Sequence, residues 1–148
     1  MMILLNNLTS ENIQETLALK IDAWQAENLS TISEEISKAY VEPEKRIPLV
    51  ITANDQVVGF MVFAFPQTHD TVTISYFMID WQKQNKGYGT KALREFILYA
   101  ENLPTINKIH CVINTGDLLG RKTLESAGFM RGQTNLDKKE NEMVYIIR

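Results

Sequence analysis

The chain has 148 residues, 45% of them hydrophobic and 22% charged, a balance that suits one globular domain and excludes a disordered chain. Its 15 basic and 18 acidic residues leave a formal charge of −3, without the basic excess of a nucleic-acid binder. A single cysteine, Cys111, excludes an intrachain disulfide, and with only His69 and His110 beside it no metal site is expected.

The N-terminal Met1 to Asn6 carries no basic segment, and the longest apolar stretch, Val57 to Phe65, is far short of the roughly 20 residues a membrane span needs. A cytoplasmic protein with no membrane partner is the expectation. Ile3 to Leu8 reads as a first strand. Thr9 or Ser10 is placed to cap a helix whose stripe is Ile13, Leu17, Ile21 and Trp24. Thr31 and Glu34 have capping-box spacing and open a second helix, with Ile32, Ile36, Ala39 and Tyr40 as its buried face. Pro43 and Pro48 bracket a connection. Strands follow at Ile47 to Ala53 and Gln56 to Phe65, joined by the turn Asn54-Asp55 and ended by Pro66. A loop, Gln67 to Asp70, leads to a third strand, Thr71 to Asp80. Strict alternation puts Val72, Ile74, Tyr76 and Met78 on one face of it, and Thr73, Ser75, Phe77 and Ile79 on the other.

A glycine-bearing loop, Gln84 to Gly89, opens a helix that runs to about Asn102, with Ala92, Leu93, Phe96, Ile97 and Ala100 facing inward. Pro104 stops it. Ile106 to Ile113 is a further strand, Leu118 to Ala127 a helix ended by Gly128, and Phe129 to Gln133 and Met143 to Ile147 are final strands joined by Thr134 to Asn141. No repeat or linker divides residues 1–148, so one domain is expected. The order β-α-α-β-β-β-α-β-α-β-β implies an α/β fold: a mixed sheet, antiparallel at first, with helices on its faces.

The strongest site signal is Gln84-Asn85-Lys86-Gly87-Tyr88-Gly89-Thr90-Lys91, between a strand and a helix. Two glycines permit close backbone approach, and the helix start offers free N–H groups and a positive dipole end to an anion such as phosphate. A Walker A run is absent. Gly87 to Ala92 fits a dinucleotide G-x-G-x-x-A pattern. The acidic residue expected about 20 residues on is missing, however, and the rest of the chain is too short for a doubly wound sheet.

The loop also resembles the coenzyme A signature of the GNAT N-acetyltransferase superfamily. In that pattern Arg or Gln is followed, after two residues, by Gly-x-Gly or Gly-x-Ala, as in Gln84-x-x-Gly87-x-Gly89. Phe77-Met78-Ile79-Asp80 before the loop, the later Leu124-Glu125-Ser126-Ala127-Gly128-Phe129, and the order of elements all resemble the family. The resemblance implies a GNAT fold and direct acetyl transfer from acetyl-coenzyme A to an amine, with no enzyme nucleophile, so that Cys111 is not needed. It implies that Gln84, Asn85, Lys86, Gly87, Tyr88, Gly89 and Thr90 hold the pyrophosphate and that the pantetheine arm lies along Phe77, Met78 and Ile79. Asp117, where the family commonly has asparagine, and Lys122 are further coenzyme candidates.

An ammonium must lose a proton before it attacks. The third strand has no carboxylate at Thr73 to Tyr76, which leaves Tyr76 and Asp80 as the candidates for proton handling. Leu124 stands where the family commonly carries an acid tyrosine. The run Glu27 to Tyr40 resembles bacterial spermidine/spermine acetyltransferases, which implies a polyamine acceptor met by Glu27, Glu34 and Glu35. On the residues alone the same glutamates serve equally as a solvated helix start. A protein N-terminal amine, another small-molecule amine, or a coenzyme-A-binding module without turnover are the alternatives. Family members often dimerise, so a homodimer is also an implied expectation.

Overall fold

A computed structural model describes residues 2–66 and 70–148. Seven strands, β1 (Ile3–Asn7), β2 (Arg46–Ala53), β3 (Gln56–Ala64), β4 (Thr71–Ile79), β5 (Lys108–Asn114), β6 (Met130–Asn135) and β7 (Glu140–Ile146), form one sheet. Its order is β1-β2-β3-β4-β5-β7-β6. The helices are α1 (Ile13–Leu17), α2 (Ala23–Asn28), α3 (Ile32–Val41), α4 (Tyr88–Glu101) and α5 (Leu118–Ser126), and a 3-10 turn spans Trp81–Lys83. Hairpins make β1 to β4 antiparallel, and the crossover through α4 makes β4 and β5 parallel. This is the mixed α/β sheet that the element order implied.

Each sheet face has its own core. On one face α4 buries Ala92, Leu93, Phe96, Ile97 and Ala100, the predicted stripe, against Met61, Phe63, Val72 and Ile74. The Phe63 and Phe96 rings lie 5.2 Å apart, and burying one such ring stabilises by roughly 1.5–3 kcal/mol. On the other face Val50, Phe60, Val62, Tyr76 and Met78 pack with Ile32 of α3. Gly128 has φ +105°, and the Gly128 and Phe129 amides donate to the Glu125 and Leu124 carbonyls. This Schellman turn is the termination expected of that glycine. Pro48 lies inside β2, but β1 reaches only to Leu49, so the proline sits where β2 has a single neighbour. Residues 67–69, most of the predicted loop before the third strand together with His69, lie outside the described residues.

Three sequence expectations are corrected. The first helix does not run from Ile13 to Trp24: it ends at Leu17, and a second starts at Ala23. Asp22 is extended and caps α2, its carboxylate accepting from the Gln25 amide at 2.8 Å while Gln25 reaches back in a full capping box. The Lys20 carbonyl, which a continuous helix would need, accepts instead from Trp81 N–H at 2.8 Å. The start of α1 is set by Asn12; Thr9 uses its hydroxyl to accept from the Glu11 and Asn12 amides.

On α3 the cap at Thr31 is present, but Tyr40 is 86% exposed and Glu35 is buried instead. Ile32, Glu35 and Ala39 make the inward stripe, which turns Tyr40 away. The Glu35 carboxylate is met by Ser30 Oγ at 2.7 Å and Lys38 Nζ at 3.4 Å, as a buried charge requires.

On β4 the alternation breaks. Val62 pairs with Tyr76 and Phe63 with Ile74, leaving Ser75 as an extra residue. This bulge shifts the parity by one: Val72 and Ile74 pack on the α4 side, whereas Tyr76 and Met78 pack on the α3 side. Ser75 Oγ donates to the Val62 carbonyl at 3.2 Å.

Candidate active site

The bulge marks the point where the sheet opens. β4 and β5 are in register only from Thr71 and Lys108 to Ile74 and Cys111. Beyond that, β4 continues against β3 alone and β5 against β7 alone. The gap between them is a cleft of about 550 Å³.

Its first wall is the free edge of β4. Asp80 N–H donates to the Val58 carbonyl of β3 at 2.8 Å, and Met78 and Tyr76 pair with Phe60 and Val62. Antiparallel alternation therefore turns the N–H and C=O groups of Phe77 and Ile79 away from β3, toward the cleft. The Ile79 carbonyl accepts there from Gln84 Nε2 at 3.0 Å. The same Gln84 amide donates to Gln25 Oε1 at 3.2 Å, so α2 is fixed to the start of the glycine loop.

Its second wall is the N-terminus of α4. Gly87 has φ +82° and open space where a Cβ would stand, and no side chain caps the helix. Lys91 N–H bonds to the Gly87 carbonyl, which leaves the amides of Tyr88, Gly89 and Thr90 without intrahelical partners. Such a terminus is suited to a phosphate group, and Lys86 and Lys91 add positive charge.

The far wall is the turn from β5 into α5. Asn114 Oδ1 accepts from Gly116 N–H, and Asp117 Oδ1 accepts from Gly120 N–H at 2.8 Å. Desolvation holds the Asp117 carboxyl above the usual carboxylate range; the Gly120 bond opposes this and the charge of Asp22 adds to it. Burial, and then the charge of Asp117, push the Cys111 thiol up to about 12. It stays protonated near neutral pH and is no nucleophile.

Of the sequence candidates, Tyr76, Phe77, Met78, Ile79, Gln84, Asn85, Gly87, Tyr88, Gly89, Thr90, Asp117 and Lys122 all line this cleft. Lys86 is exposed on the loop beside it. Asp80 is not among the lining residues; its carboxylate accepts from Gln82 N–H and caps the 3-10 turn. The Tyr76 hydroxyl donates to the Ser30 carbonyl at 3.0 Å. Burial, then Glu35 and Glu34, push its phenol up to about 12. Glu27, Glu34 and Glu35 are not brought to the cleft. Leu124 is buried at its edge.

Residues missed in the sequence also line the cleft: Trp24, Gln25 and Asn28 of α2 and Leu29 just after it, with Lys138 and Glu140 of the final hairpin. The spacing Asp22-x-x-Gln25, a capping box, was the available signal for α2. Among the described residues no group of side chains is arranged to hold a metal, and no helix is long and apolar enough to cross a membrane.

Residues 4–130 match the family model of an acetyltransferase (GNAT) domain. No curated protein sequence matches the chain. Among solved structures, an aminoglycoside acetyltransferase, AAC(6')-Ib, in complex with coenzyme A superposes with a TM-score of 0.80 at 18% identity, over 98% of this chain and 95% of that one. A spermidine N-acetyltransferase from Vibrio cholerae, in complex with coenzyme A and spermine, has a TM-score of 0.73 at 14% identity, over 97% and 95%. An acetyltransferase of the GNAT family from Streptococcus pneumoniae has a TM-score of 0.71 at 15% identity, over 99% and 100%.

Proposed function

The chain belongs to the acetyltransferase (GNAT) family, and from that premise we propose that it passes the acetyl group of acetyl-coenzyme A to a small cationic primary amine. The residues present fit the coenzyme: three unpartnered amides at the start of α4, open space at Gly87, and a free strand edge at Phe77 and Ile79. Bound acetyl-coenzyme A supplies the activated acetyl thioester. The Gly87–Thr90 amides hold the pyrophosphate. Phe77 and Ile79 pair with the pantetheine arm as a strand would, and their N–H groups are the donors available to charge developing on the carbonyl oxygen. With Cys111 protonated and buried, the amine attacks directly and no acyl-enzyme forms.

The observation that carries the acceptor class is the composition of the cleft wall formed by α2, the β5–α5 turn and the final hairpin. Trp24 of α2 stands 3.6 Å from where a Gly116 Cβ would be, and Asp117 and Glu140 line the same cleft. An aromatic face with carboxylates suits an ammonium group. Two of the structural neighbours, in complex with kanamycin and with spermine, have polyamine or amino-sugar partners, which supports the same class. The coenzyme-binding module without turnover draws on Leu124, which offers no acid to the departing thiolate.

Free-thiol release from acetyl-coenzyme A tests this, with spermidine, spermine, kanamycin and a peptide bearing a free N-terminus as acceptors. Release with a polyamine or amino sugar is expected. Release with the peptide alone overturns the acceptor class, and release with none favours the module.

A further inference from the structure

We propose that Asp117 is the proton acceptor of this cleft, its second carboxylate oxygen taking a proton from the acceptor ammonium before the nitrogen attacks. The assignment rests on the acetyltransferase reading above. β4 supplies no carboxylate from Thr71 to Ile79. Among the described residues, the carboxylates on the cleft wall are those of Asp117 and Glu140. Desolvation of its carboxyl distinguishes Asp117. Glu140 begins β7, which is separated from β4 by β5, whereas Asp117 follows β5 directly. The charge of Asp117 also reaches Cys111, which pairs with Ile74 in the last rung before the strands part. Asp117 therefore lines the cleft on the β5 side, with Phe77 and Ile79 of β4 on the other.

Its own bonds leave it able to act. Oδ1 is fixed by Gly120 N–H, and Gly120 has no side chain to displace the carboxylate, which packs against the position a Cβ would fill. Oδ2 takes no hydrogen bond among the described residues. Desolvation and the Asp22 charge raise the carboxyl's proton affinity, which improves it as a base near neutral pH. The charged and titratable groups that act on it or share its cleft are Asp22 at the start of α2, Cys111 from β5, Lys122 from α5, and Lys138 and Glu140 from the final hairpin, while Arg121 of α5 is paired with Glu125. A carboxamide in the same place would cap the helix equally well but accept no proton.

The step balances. One proton passes from the ammonium to Asp117, and the nitrogen lone pair forms the N–C bond. The C–S bond breaks with its pair on sulfur, the nitrogen's second proton goes to that sulfur, and Asp117 returns its proton to water.

The test is Asp117→Asn, read in parallel by coenzyme A titration, melting temperature and the pH profile of kcat/KM for the best acceptor. Coenzyme A affinity and melting should hold, because Asn caps as well as Asp. Near neutral pH kcat/KM should fall by about 10²–10⁴-fold, and the deficit should shrink as the pH nears the amine's own pKa of about 10.4. If the variant does not fold, Asp117→Ser keeps a capping oxygen without a carboxylate and is read the same way. A loss under about threefold, a deficit constant with pH, or a loss matched by weakened coenzyme binding each overturns the role. No coenzyme binding by the unmutated protein would instead break the acetyltransferase reading, and the role of Asp117 with it.

Discussion

The Cβ that Gly89 lacks would stand 3.0 Å from Cγ2 of Thr123, so the start of α4 meets α5 through a glycine. The two loop glycines thus answer different demands. Gly89 permits helix contact, whereas Gly87 permits a left-handed turn and leaves its outer side open. Gly89→Ala should cost about 1–3 kcal/mol by overpacking and weaken coenzyme A binding as the helix start shifts. Gly87→Asp should cost about 1–2 kcal/mol of backbone strain and abolish coenzyme binding, because a side chain and a negative charge enter the anion site. Melting curves with coenzyme A titrations check both, and unchanged affinity in both variants would contradict the assignment of the loop.

The protein should lose stability in alkali. The folded chain raises the Cys111 thiol from 9.0 and the Tyr76 phenol from 10.0, each to about 12. Between those values the unfolded chain has released protons that the folded chain still holds, so stability falls as pH rises from 9 toward 12. Each such proton contributes at most about 1.4 kcal/mol per pH unit. Urea midpoints at about pH 8 and about pH 10.5 measure this. Cys111→Ala should flatten the loss and keep turnover, since the thiol takes no part in the transfer.

Tyr76→Phe removes the hydrogen bond to the Ser30 carbonyl, at a cost of about 0.5–1.5 kcal/mol. Turnover should stay within about threefold, because a phenol that remains protonated near neutral pH is no base. A hundredfold loss, with coenzyme affinity intact, would return Tyr76 to the catalytic step.

The glycine loop was legible in the sequence because backbone freedom, helix start and strand end all coincide over a few neighbouring residues. The inward stripe of α4 was legible because five apolar residues keep helical spacing. The bulge at Ser75 was not, because strict alternation through Val72, Ile74, Tyr76 and Met78 looks unbroken until β3 supplies a partner one register step off. Nor was the α2 wall of the cleft. Ile13, Leu17, Ile21 and Trp24 share one helical phase, which masks the capping box of Asp22 and Gln25, and the capture of the Lys20 carbonyl by Trp81 is distant in sequence. Glu35 shows the same limit from the other side: a carboxylate reads as surface until Ser30 and Lys38 enclose it.

We assign the cleft between β4 and β5 to acetyl-coenzyme A. Thermal melting with coenzyme A, acetyl-coenzyme A and NAD(H) in parallel tests that assignment most directly. A ligand at 100 times its Kd should add about 2.7 kcal/mol. A clear rise with both forms of the coenzyme and none with NAD(H) is the predicted result. A rise with NAD(H) alone, or no response to the coenzyme, would contradict it.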